Sequence, residues 1–319
     1  MFRLPLSLAS PAGRRGRLSV MIFHRVLARP DPLFPDLPDA AGFEARMRWV
    51  RAWFNVVPLA AGIESLYRGD VPARALALTF DDGYADNEDV AAPILERLGL
   101  TATFFVASGF LGAGCMWNDR VIEAIRSCTR GDVDLAAVGL ARLSLAGTEA
   151  RRQAITSILL ALKHLEPARR EAATAEVVAA AGAAPAPALM MSPEQLRRLR
   201  RAGMEIGAHT VTHPILTRLD HDSARAEMRG SKVALEAIVD APVTLFAYPN
   251  GVPGQDYAAE HALMARECGF SAALSTAWGA ATMRSDRFQL PRFTPWDTTR
   301  ARYGARLLAN LARAKEQAA

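Results

Sequence analysis

Cysteine is scarce in this chain of 319 residues, and the three cysteines form no recognisable pattern. Cys115, Cys128 and Cys268 are odd in number and share no metal-ligand spacing. This argues against a fold held together by disulfides and against a cysteine-based metal site. We therefore expect ordinary thiols in a reducing compartment.

Long apolar runs are also missing. No stretch approaches the roughly 18 apolar residues that a membrane-spanning helix requires. The N-terminus, MFRLPLSLASPAGRRGR, has only a short apolar patch, and its main basic cluster follows that patch, whereas a secretory signal has the opposite order. We expect a cytoplasmic protein without a transmembrane segment, with secretion as the alternative.

Nucleic-acid signatures are likewise absent. There is no zinc-finger spacing and no aromatic-rich binding motif, so we expect no nucleic-acid partner. Half of the residues are hydrophobic and 22% are charged, which is typical of a globular protein with a sizeable core. The net charge of +5 comes mostly from dispersed arginine; it fits attraction to an anionic substrate or a membrane surface, and also simple solubility.

Short β-forming stretches alternate with helical ones along most of the chain. RLSVMIFHRV (17–26) and ALALTF (75–80) carry apolar residues on both faces, which is typical of a parallel sheet covered by helices. Asn87 and Ser192 are the predicted N-caps of two helices. The other predicted strands are 101–107, 204–210, 243–251, 271–276 and 288–293, and the predicted helices are 43–54, 87–99, 192–203, 221–239, 256–270 and 302–316.

Repeated strand–helix units predict an α/β fold, either a (β/α) barrel or an open doubly wound sheet. We divide the chain into an N-terminal tail (1–17), a barrel (18–302) with a helical insertion at about 109–191, and a C-terminal helix (303–319). The apolar stripe of that last helix would pack against the barrel or make a peripheral membrane contact. No glycine-rich phosphate loop follows the early strands, which disfavours dinucleotide binding. Both folds place their chemistry at the carboxyl ends of strands.

Polar side chains follow two of the predicted strands. TFDDG places Asp81 and Asp82 at a strand end, where Gly83 allows the backbone to turn so that both carboxylates can face one site. HTVTH places His209 and His213 four residues apart, on one face if they form a helical turn. Two histidines and one carboxylate are a common ligand set for a divalent metal, which would leave the second carboxylate free as a base. Taken singly, each motif is also compatible with a purely structural role.

TFDDG and HTVTH resemble the first two motifs of the polysaccharide deacetylase family, the NodB-like carbohydrate esterases, in order and separation. The resemblance extends from about Leu18 to Trp296. It implies a distorted, incomplete (β/α) barrel that removes acetyl groups from N-acetylated sugars with a divalent metal. It also implies that Asp81 is the general base and that the metal ligands are Asp82, His209 and His213. Zn²⁺ suits these ligands, and so do Co²⁺, Ni²⁺ and Mn²⁺.

The third family motif resembles FAYPNG, with two departures. Ala247 stands where the family has an arginine, and Asn250 stands where it has a tyrosine. The resemblance implies that the Asn250 backbone N–H can serve an oxyanion hole. We also expect Tyr248 and Pro249 to contact the substrate. We expect Arg292 of LPRF to replace the missing arginine.

The last family motif contains a histidine that acts as the general acid, and ALSTAWG (273–279) has none. His24, at the end of the first strand, is a candidate for this role; the alternatives are that His24 is a structural core residue and that Asp81 returns the proton itself. Trp117 would stack on a sugar ring or pack in the core.

These features predict a metal-dependent hydrolase that removes N-acetyl groups from an aminosugar in a polysaccharide or in its lipid- or nucleotide-linked precursor. One alternative is deformylation or amide hydrolysis of a small molecule on the same fold. The other is a catalytically silent glycan-binding homologue, favoured by the missing arginine and histidine. Retention of all four metal-site and base residues argues against a silent protein.

Overall fold

The computed structural model describes residues 2–112, 114–313 and 318–319. They form two compact units. The barrel unit comprises Met1–Arg29, Pro38–Leu111 and Met191–Ala319, and the helical unit comprises Pro30–Leu37 and Gly112–Met190.

The strands are β1 (Leu18–Phe23), β2 (Asn55–Val56), β3 (Ala75–Phe80), β4 (Thr103–Val106), β5 (Asp132–Val133), β6 (Leu143–Ser144), β7 (Glu205–Ala208), β8 (Leu245–Ala247) and β9 (Ala272–Leu274). The α-helices are α1 (Arg3–Ala9), α2 (Ala40–Trp53), α3 (Leu59–Arg68), α4 (Ala92–Arg97), α5 (Trp117–Ser127), α6 (Gly147–Lys163), α7 (Pro167–Ala181), α8 (Pro193–Arg201), α9 (His221–Val239), α10 (Ala259–Glu267) and α11 (Arg300–Ala312).

The barrel unit is built on a curled parallel sheet in the order β1-β3-β4-β7-β8-β9, and β2 also pairs with β3. Every residue of β1 and of β3 is buried, and the two strands pair from Leu18↔Ala75 to Phe23↔Phe80. Full burial on both faces explains why these strands are continuously apolar in sequence. The parallel direction brings their carboxyl ends to one edge of the sheet.

The predicted last strand, 288–293, does not form a strand. Leu290 makes a single bridge to Leu274 of β9, and Phe293 makes a single bridge to Met21 of β1. Pro291 has no backbone N–H and therefore cannot continue a ladder between them. This closing segment spans the gap between the two edge strands of the sheet, and the expected distorted, incomplete (β/α) barrel is confirmed.

Of the two predicted helix N-caps, one is observed and the other is not. Ser192 caps α8 as predicted, and it forms a reciprocal capping box with Gln195. Asn87 does not cap a helix: it begins a π-helical turn, Asn87–Ala91, and its buried side chain donates to the His24 carbonyl at 2.8 Å. Because its side chain is used in this tertiary contact, it is not available to the helix N-terminus.

The helical unit packs α5, α6 and α7 around an apolar core of its own, beside the two-stranded β5–β6 pair. It also includes Pro30–Leu37, which lies outside the helical insertion predicted at about 109–191. Arg126 of α5 holds this segment through an ion pair with Asp31 at 2.6 Å.

The chain ends are packed rather than extended. Residues 1–17, expected as a tail, contain α1, whose Leu6 is fully buried in the main core. In α11, Tyr303, Leu307 and Leu311 belong to the same core, so the apolar stripe of this helix packs inside the barrel unit and does not face a membrane. The predicted continuation of this helix over 314–317 lies outside the described residues. None of the described helices is long and apolar enough to cross a bilayer.

The burial of Leu6 yields a stability prediction. Leu6→Ala should lower the free energy of unfolding by about 2–5 kcal/mol, because it removes a fully enclosed side chain. Leu4→Ala, two residues away on the opposite, exposed side of the same helix, should change it by less than about 0.5 kcal/mol. Urea unfolding of both variants measures the difference, and equal effects would show that α1 does not pack on the barrel.

Candidate metal centre

The two neighbouring carboxylates follow β3 at a sharp change of backbone direction. Asp82 has φ of +76° and Gly83 has φ of +93°, so the turn begins one residue earlier than the glycine predicted. Left-handed backbone at a non-glycine residue costs about 1 kcal/mol or more and persists only where neighbours hold it. Here the Asp81 N–H donates to the Phe23 carbonyl, and the Asp82 carbonyl accepts from the Ala107 N–H. The acidic turn is thereby fastened to the strands on both sides.

The two histidines follow β7 in a loop, and they do not form the helical turn that was considered as a way to place them on one face. Thr210 and His213 both have positive φ, +65° and +55°, which folds the loop back on itself. The ring centroids of His209 and His213 lie 4.8 Å apart. The His213 N–H donates to the Thr210 hydroxyl at 3.1 Å, which fixes the end of the loop.

Glu227 of α9 supports this loop and was not singled out in the sequence. Its carboxylate accepts the backbone N–H groups of Val211 and Thr212, both at 2.8 Å, and the Thr212 hydroxyl at 2.7 Å. The residues between the two histidines are thus held by one side chain from the next α-helix along the chain. No local spacing marks Glu227, because it belongs to the regular polar pattern of α9.

Asp82 and the two histidines converge on one point. Asp82 Oδ1 lies 3.5 Å from His209 Nε2 and 3.3 Å from His213 Nε2. One ligand atom from each of the three residues falls within 4.8 Å of the others. Asp82 Oδ1 is also buried without a hydrogen-bond partner. A buried carboxylate oxygen facing two imidazole nitrogens fits a divalent cation.

Burial, hydrogen bonds and charges set the protonation of the three residues. Burial lowers the pKa of His209, but the Asp81 and Asp82 carboxylates outweigh it and raise that pKa, so a metal bound at Nε2 would displace a proton. His209 Nδ1 lies 2.7 Å from the Ala247 carbonyl, so in the neutral ring Nδ1 carries the proton and Nε2 presents its lone pair. Burial lowers the pKa of His213 to about 4, leaving its ring neutral. Burial raises the pKa of Asp82, but the His209 and His213 rings outweigh this effect and hold it below its usual range.

Asp81 has a different partner. Arg292, which is fully buried on the closing segment, donates Nη1 to Asp81 Oδ1 at 2.7 Å and Nη2 to Oδ2 at 2.8 Å. Its Nε donates to the Ser275 carbonyl at 3.0 Å, which fixes the plane of the guanidinium. Burial raises the pKa of Asp81, but the Arg292 charge outweighs it and the pKa is lowered. Asp81 is therefore held ionised, with Oδ2 3.8 Å from His209 Nε2.

The residues of FAYPNG separate into two groups. Asn250 has φ of +58°, and its backbone N–H donates to no acceptor in the part of the chain that the structure describes. Tyr248 is a core residue: it is fully buried, stacks on Tyr257 at 3.9 Å, and donates its hydroxyl to the Phe288 carbonyl. Pro249 is buried beside it. The expected substrate contact by the Tyr248 side chain is therefore not supported.

His24 lies directly after β1 and is exposed, so the alternative of a structural core histidine is wrong. The pKa of Asp81 is set mainly by burial, Arg292 and His209. His24 lies close enough to add a smaller effect that lowers this pKa. Trp117 belongs to the helical unit, where it is partly buried and the Arg170 guanidinium lies 5.2 Å from its ring centroid.

Comparisons with known proteins agree with this geometry. The sequence model described as polysaccharide deacetylase matches residues 68–273, more than half of the chain, and this span includes both carboxylates and both histidines. The chain belongs to the polysaccharide deacetylase family. Membership supports a hydrolase that deacetylates glycans.

Individual polysaccharide deacetylase relatives are distant. YxkH of Bacillus subtilis (strain 168) is 20% identical over 278 residues, covering 86% of this chain and 70% of YxkH. The Streptococcus pyogenes deacetylase PplD, solved in complex with acetate, superposes with a TM-score of 0.60 at 17% identity, covering 87% of this chain and 92% of PplD. IcaB from Ammonifex degensii has a TM-score of 0.57 at 17% identity, covering 92% and 98%. At these identities the superpositions show a shared fold.

The convergence of the three ligands predicts selective loss of metal. His213→Gln should weaken Zn²⁺ or Co²⁺ binding by more than about 100-fold, since even residues that only support a ligand are worth 10–100-fold. His221→Gln removes an exposed histidine beside Asp222 and should leave the affinity unchanged. Calorimetric titration of the metal-free protein measures both. Equal affinities for the two variants would place the metal elsewhere.

Proposed function

We propose that this protein is a metal-dependent N-deacetylase acting on an aminosugar in a polysaccharide or in its lipid- or nucleotide-linked precursor. The supporting observation is the division of labour between two adjacent carboxylates. Asp82 faces two imidazoles, whereas Asp81 is gripped by Arg292. A binding protein has no need for a second, ionised carboxylate beside a metal ligand.

The first chemical step assigns a role to Asp81. A divalent cation held by Asp82, His209 and His213 would polarise the amide carbonyl and lower the pKa of water. Asp81 takes a proton from the water that attacks the carbonyl carbon. Arg292 orients Asp81 and keeps it ionised before the proton arrives. The free N–H of Asn250 is suited to donating to the oxygen that becomes negative.

The second step breaks the C–N bond and requires an acid. The sugar nitrogen leaves as an amine only after it gains a proton, and acetate is the other product. His24 is exposed and near Asp81, so it is positioned to supply that proton. Otherwise Asp81 returns the proton that it took from water.

Arg292 also bears on the alternative of a silent glycan-binding protein. That alternative rests partly on Ala247, where the family has an arginine. Arg292 pairs with the Asp81 carboxylate from a different part of the chain. Asp81 therefore has an arginine partner although Ala247 cannot provide one. Zn²⁺ suits the ligand set, with Co²⁺, Ni²⁺ and Mn²⁺ as further candidates.

We place the activity in the cytoplasm. The three cysteines are free thiols and none forms a disulfide with another, which supports a reducing compartment. A cytoplasmic enzyme would meet a nucleotide- or lipid-linked intermediate.

Removal of the base should separate catalysis from metal binding. Asp81→Asn should lower kcat by about 10²- to 10⁴-fold while the metal content is retained, because Asp82 and both histidines are untouched. Acetate release from a panel of short N-acetylhexosamine oligomers measures the rate, and formate release from formamido sugars tests the deformylase alternative. Asp222→Asn, on the exposed start of α9, is the control. A full rate in Asp81→Asn would remove Asp81 from the mechanism.

A second variant identifies the acid. If His24 protonates the leaving amine, His24→Asn should lower kcat by about tenfold or more and leave KM nearly unchanged. His164→Asn, an exposed histidine of the helical unit, should be silent. An unchanged kcat in His24→Asn would instead assign both proton transfers to Asp81. The readout is the same acetate assay.

A further inference from the structure

Two leucines of α1 project into solvent although the helix itself is anchored. Leu4 is 71% exposed and Leu8 is 76% exposed. They are four residues apart, so they share one face of the helix. On the other side, Leu6 is fully buried and the Phe2 ring lies 5.0 Å from the Trp53 ring. The anchored side holds the two leucines outward.

A groove rich in arginine is lined partly by the residues that follow α1 in the sequence. It has a volume of about 800 Å³, and no carboxylate among the described residues lines it. Its lining residues are Arg14, Arg15, Gly16, Arg17, Thr282, Met283, Arg284 and Arg313.

The five arginines of the groove do not all have the same role. Arg17 donates to the carbonyls of Leu311 and Arg313 at the end of α11, where it satisfies groups that the helix leaves free. The Arg313 guanidinium lies 4.7 Å from the Trp278 ring centroid. Arg14, Arg15 and Arg284 are exposed, and their charges face the solvent. These three are the positive charges available to a ligand.

The end of α1 is tied directly to the wall of the groove. The Ser10 hydroxyl, one residue past the helix, both donates to the Arg17 carbonyl and accepts from the Arg17 N–H at 3.1 Å. Ser10 is buried, so the tie is protected from water. This tie joins the helix that carries the exposed leucines to the chain segment that carries two of the exposed arginines. We call the five exposed side chains the α1 face: Leu4, Leu8, Arg14, Arg15 and Arg284.

The α1 face is remote from the metal centre. Gly16 and Arg17 precede the first residue of β1, and Ala281, one residue before Thr282, bridges to Leu18. The groove is thus at the amino ends of the strands, whereas Asp82 and His209 follow the carboxyl ends of β3 and β7. A six-residue strand spans about 20 Å. The α1 face consequently has no part in the chemistry of the acidic pair.

We propose that the α1 face docks the protein on an anionic lipid membrane, with Leu4 and Leu8 entering the acyl boundary and Arg14, Arg15 and Arg284 binding lipid phosphates. Exposed leucines beside exposed arginines are the combination that binds at a bilayer interface, where apolar burial and attraction to anionic headgroups add. A soluble polyanion would use the arginines but would gain nothing from the leucines. The carboxyl-end site stays open to substrate on the opposite side.

Flotation of the full-length protein with lipid vesicles tests this. We expect binding to vesicles of phosphatidylcholine with about 30% phosphatidylglycerol and little binding to phosphatidylcholine alone, because each arginine near an anionic surface is worth about fivefold in affinity. Arg14→Gln with Arg15→Gln should therefore weaken binding by about 25-fold. Leu4→Ser with Leu8→Ser should weaken it by at least as much.

Matched controls separate this surface from general charge and hydrophobicity. Arg200→Gln with Arg229→Gln removes the same charge from exposed positions elsewhere in the barrel unit. Leu160→Ser with Leu263→Ser removes leucines that are 67% and 62% exposed. Both control pairs should bind vesicles as the parent does, and all variants should keep the parent melting temperature and the parent rate on a soluble substrate.

Several results would overturn the proposal. One such result is absence of binding to anionic vesicles, and another is equal binding to anionic and neutral vesicles. If the arginine pair weakens binding and the leucine pair does not, or if millimolar inorganic pyrophosphate displaces the protein fully, the groove is a site for a soluble anion. If the control pairs weaken vesicle binding as much as the α1-face pairs do, binding depends on net charge or overall hydrophobicity and not on this surface. None of these results depends on whether the protein deacetylates a glycan.

Discussion

The buried ion pair between Asp81 and Arg292 joins the segment that closes the barrel to the acidic turn after β3. Asp81 ends the run of β3 and Arg292 belongs to the segment that closes the barrel between β9 and β1. Both side chains are almost fully buried, and the desolvation of such a pair cancels much of its attraction. The ion pair therefore contributes mainly by fixing the position of Asp81. It can form only after the closing segment has brought Arg292 to the carboxylate. Loss of either partner would leave an uncompensated buried charge.

The metal centre is organised around strained backbone rather than regular structure. Asp82, Thr210 and His213 all have positive φ, and each such residue carries a conformational cost. The cost is offset by contacts that come from other elements: the β1 and β4 backbones at the acidic turn, and Glu227 of α9 at the histidine loop. A metal would add its own binding energy to the same arrangement. Strain and support are thus concentrated where three ligand atoms must meet within a few ångströms.

The two ends of the barrel carry different kinds of surface. At the carboxyl ends of the strands, charged groups are buried and paired to one another. At the amino ends, arginines are exposed around the groove, and Ser10 ties α1 with its two exposed leucines to Arg17 in the groove wall. A parallel sheet produces this separation directly, because all its strands point the same way. The proposed membrane surface and the proposed catalytic site can therefore act at the same time.

Sequence alone was sufficient where a property is local or periodic. ALALTF was predicted at its observed bounds, as was α9, and the N-cap at Ser192 was confirmed. Burial on both faces, helical periodicity and capping chemistry all leave marks within a few residues. The four residues of the acidic and histidine motifs were also recognisable, since each motif is short and follows a strand.

Tertiary structure decided what depends on distant partners. The turn at Asp82 and the loop from His209 to His213 rely on hydrogen bonds to other elements, so neither the left-handed residues nor Glu227 could be predicted from local spacing. Tyr248 belongs to the core because Tyr257 stacks on it. Arg292 is more than 200 residues from Asp81 along the chain, and only closure of the barrel brings its guanidinium to that carboxylate. Patterns along a chain record preferences of neighbouring residues, whereas the meeting of remote side chains is fixed by packing.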